Sequence, residues 1–265
     1  GLQIRKLYEP ELYHNNRAEP TFLEYFGPAP RCSVCTIALE PNPRHTGRLT
    51  RLAANYQAAG IGVLFLPLAA SDVDGHMDFY VDVTPGKQNS IDLGASASPL
   101  KAIHQLAQYG EPSNATRVRT ADLSRLIMHT HRELARRKAS APVKVVLKLD
   151  TEFLEFRILP HLTWTLALCV AIDAVMVDWS NLAVLQSSRR QPAFTQPAVR
   201  LADAMRAAFA EAYAAPHRGR KCRAALLDVD DETYMTGGHK FPMAPSTFAC
   251  ARRVPGVVLA RMGYC

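Results

Sequence analysis

The sequence has little that would suit the chain to a membrane, to nucleic acid or to a structural metal ion. Its longest apolar stretch, Leu162–Val177, is interrupted by Asp173 and is too short to cross a bilayer. The formal net charge is +7, but aromatic residues are not interleaved with the basic ones, which argues against nucleic-acid binding. Cys32 and Cys35 have C-x-x-C spacing, but no second pair completes a zinc site. We therefore expect no transmembrane segment in this chain, no nucleic-acid partner and no metal.

The start of the chain also lacks a glycine-rich loop and an apolar leader. The sequence begins at Gly1 without an initiator methionine, which predicts a fragment or a processed product. Residues 1–30 contain many Pro, Tyr and Glu residues. They are interpreted as an N-terminal extension, or as the truncated start of the domain, with a short helix around Thr21–Phe26. Residues 31–245 are predicted to form the main domain, and residues 246–265 a C-terminal tail.

Apolar runs alternate with amphipathic segments along the rest of the chain. This pattern predicts a single α/β domain with a mostly parallel central sheet and helices on both faces. The predicted strands lie near 34–39, 63–68, 143–149, 172–178 and 222–229, with a half-exposed strand at 76–83. The predicted helices cover 45–59, 100–109, 121–137, 151–168 and 197–214.

Three of the predicted strands end in an acidic residue. Glu40 follows the first strand, Asp150 follows the run VKVVLKL, and Asp178 follows AVMV. The run before Asp150 is almost continuously apolar, which is typical of an interior parallel strand. Open α/β sheets bind their ligands at the carboxyl ends of such strands, so one ligand pocket is predicted there. The alternative is that Asp150 and Glu152 serve only as favourable residues at a helix N-terminus.

Five short motifs resemble the FkbM-type methyltransferases, and most closely the FkbM-like proteins of green algae. They are EPNP at 40–43, LAASDVDG at 68–75, LKLDTEFLEF at 147–156, VDWSN at 177–181 and CRAALLDVDDETYMTGGHKFP at 222–242. The resemblance implies a three-layer Rossmann-like fold, S-adenosylmethionine as the cofactor, and O-methylation of a sugar or another small hydroxylated acceptor.

The resemblance also implies roles for particular residues. Glu40 and Asn42 would bind the cofactor, with Glu40 accepting hydrogen bonds from the ribose hydroxyls. Ser71 or Asp72 would lie near the adenine. The catalytic carboxylates that face the acceptor would be Asp150, Glu152 and Asp178, and one of them would take the acceptor's proton.

The chain departs from this family pattern at three places. No acidic strand end with a glycine-rich loop precedes Glu40, which predicts that the first strand of the family either lies upstream of Gly1 or has been lost. IDLGAS at 91–96 stands after EPNP instead. Phe153 and Leu154 replace a glycine and a small residue, and Ser180 replaces a histidine. We therefore expect weak cofactor binding by these 265 residues. A second hypothesis remains open, namely an inactive methyltransferase-like fold that serves as a structural or binding subunit with protein partners.

The cysteine content bears on the compartment. Six cysteines and the sequon Asn114-Ala-Thr116, together with the algal likeness, favour the secretory pathway or an extracellular location.

Overall fold

The computed structural model describes residues 2–10, 13, 16–28, 33–81, 114–136, 143–151, 154–178, 207 and 224–229. Its helices are α1 (Leu2–Tyr8), α2 (Glu19–Phe26), α3 (Pro43–Ala58), α4 (Leu123–Arg136), α5 (Glu155–Trp164) and α6 (Ala167–Ala171). Its strands are β1 (Cys35–Leu39), β2 (Gly62–Leu66), β3 (Ala69–Ser71), β4 (Gly75–Val81), β5 (Asn114–Asp122), β6 (Val146–Leu149), β7 (Ala174–Val177) and β8 (Ala225–Asp228).

The strands form mostly parallel sheets, which confirms a mixed α/β fold. β1 and β2 are parallel and are connected by α3 as a β-α-β unit. β6, β7 and β8 form a second parallel sheet in that order. The third sheet has the order β3-β5-β4, and only its β4–β5 pair is antiparallel.

The prediction of one central sheet with β6 in its interior is wrong for the described residues. The five predicted strands are hydrogen-bonded in two sheets, β1-β2 and β6-β7-β8. β7 occupies the interior position of the second sheet, and all four of its residues are buried. β6 lies at the end of this sheet in the described residues, and three of its four residues are half-buried.

Apolar side chains cover both faces of the β6-β7-β8 sheet. Leu149, Val175 and Val177 point to one face and pack with Ile158 and Leu162 of α5. The opposite face presents a second set of side chains, Val146, Met176, Leu227 and Val229, which pack with Ala18 and with Phe22 of α2. Phe22 also contacts the core between α1, α3 and the β1-β2 sheet, so α2 links the two parallel sheets.

Helix α1 was not predicted from the sequence, where the one helix expected in residues 1–30 was around Thr21–Phe26. Tyr8 is fully buried, and its hydroxyl lies 3.0 Å from Val34 O and 2.7 Å from Thr36 Oγ1. It is also 3.2 Å from Gly62 O. This tertiary packing stabilises a helix whose seven residues would be marginal alone.

Two predicted helices have different bounds in the structure. The helix predicted over 151–168 is divided into α5 and α6, because Leu166 adopts a left-handed conformation with φ 65°. The helix predicted over 121–137 begins at Leu123, after an unpredicted strand, β5. Its N-terminus is capped by Asp122, whose Oδ1 accepts from Arg125 N at 3.1 Å. Thr120, the residue before the predicted helix, lies in β5, and its hydroxyl donates to Val73 O at 2.8 Å.

The predicted helices over 100–109 and 197–214 fall outside the described residues, apart from residue 207. The loop containing 91–96 and the tail over 246–265 also lie outside them. The three-part division of the chain therefore stays a prediction.

Candidate functional site

The carboxyl ends of β6 and β7 bring two predicted site residues together. Leu149 pairs with Val177, and Asp178 N donates to Leu149 O at 2.8 Å. Asp150 and Asp178 are therefore the next residues in register. Side chains alternate along a strand, so both carboxylates lie on the face that carries Met176. Of the three strand-end acids predicted to share one sheet edge, Asp150 and Asp178 do so, whereas Glu40 follows β1 of a different sheet.

Lys148 lies between the two carboxylates. Its Nζ is 3.9 Å from Asp150 Oδ2 and 3.9 Å from Asp178 Oδ2. The Lys148 side chain is 9% exposed and that of Asp178 is 1% exposed, whereas Asp150 is 38% exposed. Asp150 is therefore the carboxylate of this cluster that solvent or a ligand can reach. Lys148 Nζ is buried and makes no hydrogen bond with any described residue.

Glu155, at the start of α5, lies next to this cluster but has a structural task. Its Oε1 accepts from Thr151 N at 2.5 Å and from Thr151 Oγ1 at 2.9 Å, which fixes the turn after β6. Burial raises the pKa of Glu155 to about 7, hydrogen bonds from Thr151 oppose this change, and the charge of Asp150 adds to it. A buried carboxylate with few compensating charges favours its neutral form.

The EPNP motif folds into the turn that joins β1 to α3. Asn42 is fully buried, and its Oδ1 accepts from Arg44 N at 3.0 Å as the N-cap of α3, with Pro43 in the first turn. Asn42 N donates to Glu40 Oε1 at 3.0 Å. Asparagine at the N-cap followed by proline is a typical helix start. The motif therefore has a local structural explanation, and Glu40 Oε2 accepts no hydrogen bond from the described residues.

The predicted adenine-binding residues lie at the end of β3. Ser71 is buried and donates to Asp72 Oδ1 at 3.1 Å. Arg157 of α5 donates to Asp72 through Nη2 at 2.7 Å and through Nε at 3.4 Å. Partial burial acts to raise the pKa of Asp72, but hydrogen bonds from its own backbone N–H, Arg157 and Ser71 lower it below its ordinary value. Asp72 thus anchors α5 to β3.

The structure distributes the predicted site residues over three sheets. Asp150 and Asp178 belong to the β6-β7-β8 sheet, Glu40 and Asn42 follow β1, and Ser71 and Asp72 follow or end β3. Glu152 lies outside the described residues. A common cleft for Glu40 and Asp150 stays a prediction.

Sequence reasoning missed Lys148 and Arg157. Arg157 carries no local signal, because its partner Asp72 is 85 residues away. Lys148 did carry one: it interrupts an apolar run immediately before the strand-end acid, where a charge would be buried.

The chain matches no family model, no curated protein and no solved structure. Within the described ranges, no group of three or more His, Cys, Asp or Glu residues could hold a metal ion. None of the described helices combines the length and apolarity needed to cross a bilayer. Cys169 of α6 is disulfide-bonded.

Proposed function

We propose that this chain is an S-adenosylmethionine-dependent O-methyltransferase-like protein whose acceptor is a sugar or another small hydroxylated compound. The observation that carries the proposal is the Asp150–Lys148–Asp178 cluster at the carboxyl ends of two parallel strands. This edge is where open α/β sheets bind their ligands. The helices that pack on both faces of the β6-β7-β8 sheet support a three-layer Rossmann-like arrangement.

The accessible carboxylate suits the chemistry of a hydroxyl acceptor. The cofactor supplies an electrophilic methyl group, and alignment of the acceptor oxygen accounts for much of the acceleration of such a displacement. Asp150 is exposed enough to accept the hydroxyl proton. Asp178 is too deeply buried for this task and would hold Lys148 in place instead.

Of Glu40, Asn42 and Asp72, which were predicted to bind the cofactor, only Glu40 keeps a carboxylate oxygen that can accept a hydrogen bond from it. Glu40 Oε2 can accept from a ribose hydroxyl, whereas Asn42 and Asp72 already serve as a helix cap and an ion-pair partner. This observation favours the second candidate function, an inactive methyltransferase-like subunit that binds a ligand or a protein partner. The disulfide at Cys169 supports a location in an oxidising compartment.

Calorimetry on the full-length protein separates the two candidates. We expect weak binding of S-adenosylmethionine, because no glycine-rich loop precedes Glu40. Glu40→Gln should weaken it about tenfold further, because a charge-assisted hydrogen bond contributes about 1.5 kcal/mol. Glu24→Gln, an exposed carboxylate on α2, is the matched control and should leave the affinity unchanged. An enzyme should also transfer labelled methyl groups to a sugar acceptor, and Asp150→Asn should slow this roughly 100-fold or more. Absence of both cofactor binding and transfer would favour the inactive subunit.

A further inference from the structure

Among the described residues, Lys148 is a buried cation whose Nζ lacks a hydrogen-bond partner. An ammonium group carries three N–H donors, and none of them reaches an acceptor among the described residues. Its two carboxylate neighbours are each 3.9 Å away, beyond the usual range for a hydrogen bond to nitrogen. Burial of a charged group without hydrogen bonds is strongly unfavourable.

Two other ion pairs have shorter N–O distances than the pairs of Lys148. Lys144, before the start of the same strand, has its Nζ 3.2 Å from Asp173 Oδ1. Arg157 Nη2 approaches Asp72 Oδ1 to 2.7 Å. Both of these pairs are more exposed than Lys148, yet they form direct hydrogen bonds. The wider spacing at Lys148 therefore leaves hydrogen-bonding capacity unused at the sheet edge.

We propose that Lys148 Nζ and the Asp150 carboxylate together bind a hydroxyl group of a neutral polyhydroxylated ligand such as a monosaccharide. The hydroxyl oxygen would accept from Lys148, and its hydrogen would be donated to Asp150. The Asp150 carboxylate, 38% exposed, would repel a phosphate, sulfate or carboxylate group placed beside it, which disfavours an anionic ligand. This inference deepens the proposed function, since it names the residue that binds the acceptor oxygen.

Saturation-transfer NMR on the full-length protein without S-adenosylmethionine tests this site. The probes are the methyl glycosides of glucose, galactose, mannose and fucose, with sodium sulfate as the anionic probe. At least one glycoside should bind, and Lys148→Met should weaken that binding at least tenfold. Lys144→Met is the matched control, because it removes an exposed lysine from the other end of the same segment. The Lys144→Met variant should bind the glycoside with the same affinity as the wild type.

The proposal is overturned if no glycoside binds, if sulfate displaces the bound glycoside, or if Lys148→Met binds as tightly as the wild type. Thermal melting checks that each variant is folded. If Lys148→Met does not fold, Asp150→Asn tests the proposal instead. Asp150 is partly exposed, and loss of its carboxylate should also weaken glycoside binding at least tenfold. Glycoside binding without cofactor binding would support this site and contradict the methyltransferase proposal. Cofactor binding without glycoside binding would support the methyltransferase proposal and contradict this site.

Discussion

Replacement of Glu155 by glutamine should change how the stability of the protein depends on pH. The Glu155 carboxyl is buried at the junction of β6 and α5, where Oε1 accepts two hydrogen bonds from Thr151. The folded state raises the pKa of this group from 4.5 to about 7. A glutamine carbonyl can accept the same two hydrogen bonds, but it does not titrate. The substitution therefore removes the ionisation and keeps the local structure.

The sign of the effect follows from proton binding. Between pH 4.5 and about 7 the folded protein holds a proton on Glu155 that the unfolded chain has already lost. The free energy of unfolding therefore falls as the pH rises through this window and levels off above it. One pKa unit corresponds to about 1.36 kcal/mol, so a change from 4.5 to about 7 is worth at most roughly 3 kcal/mol.

Urea denaturation at a series of pH values from 4 to 8 measures this effect, provided that unfolding is two-state. Relative to the wild type, Glu155→Gln should gain up to roughly 3 kcal/mol of stability between pH 4 and pH 8. Glu24→Gln, which changes an exposed carboxylate on α2, is the control and should stay within about 0.5 kcal/mol of the wild type. A difference between Glu155→Gln and wild type that does not vary with pH would refute the argument from burial.

Two further predictions concern residues that the family resemblance assigned to the cofactor. Asn42→Ala should lower the free energy of unfolding by about 1 kcal/mol through loss of the cap on Arg44 N, as measured by urea denaturation. A loss of cofactor affinity at unchanged stability would contradict this structural role. A double-mutant cycle with Asp72→Asn and Arg157→Met should give a coupling energy of no more than about 1 kcal/mol, because both side chains are partly exposed. A coupling above about 2 kcal/mol would show that the pair is effectively buried.

Elements with strong local signals could be predicted from the sequence. The proline and asparagine of EPNP define the start of α3, and the valine-rich run AVMV defines β7. β5 could not be found in this way, because Val118 is its one buried aliphatic residue and Thr120 takes another inward position. This mostly polar segment forms a strand because it pairs with both β3 and β4. The break between α5 and α6 could not be predicted either, because the residue with positive φ is Leu166 and not a glycine.

The candidate site divides in a similar way. That Asp150 and Asp178 meet at one edge could be predicted, because each directly follows an apolar run and parallel strands align their carboxyl ends. The tasks of Asn42 and Asp72 could not, since a side chain that caps a helix or pairs with a distant arginine has the same local sequence as one that binds a ligand. Only the accepted hydrogen bonds distinguish these cases.

Among the described residues, hydrogen bonds distinguish polar groups with a structural task from Lys148, for which we propose a functional one. Asn42 and Glu155 accept bonds from backbone N–H groups that would otherwise be unpaired at helix starts or turns, and their removal should be felt in stability. Lys148 Nζ donates no hydrogen bond to a described residue, although it is a buried charged group. Groups that break local rules without a structural gain are expected at functional sites. We therefore expect substitution of Lys148, at the carboxyl end of β6, to affect ligand binding more than folding, and substitution of Asn42 to affect folding more than ligand binding.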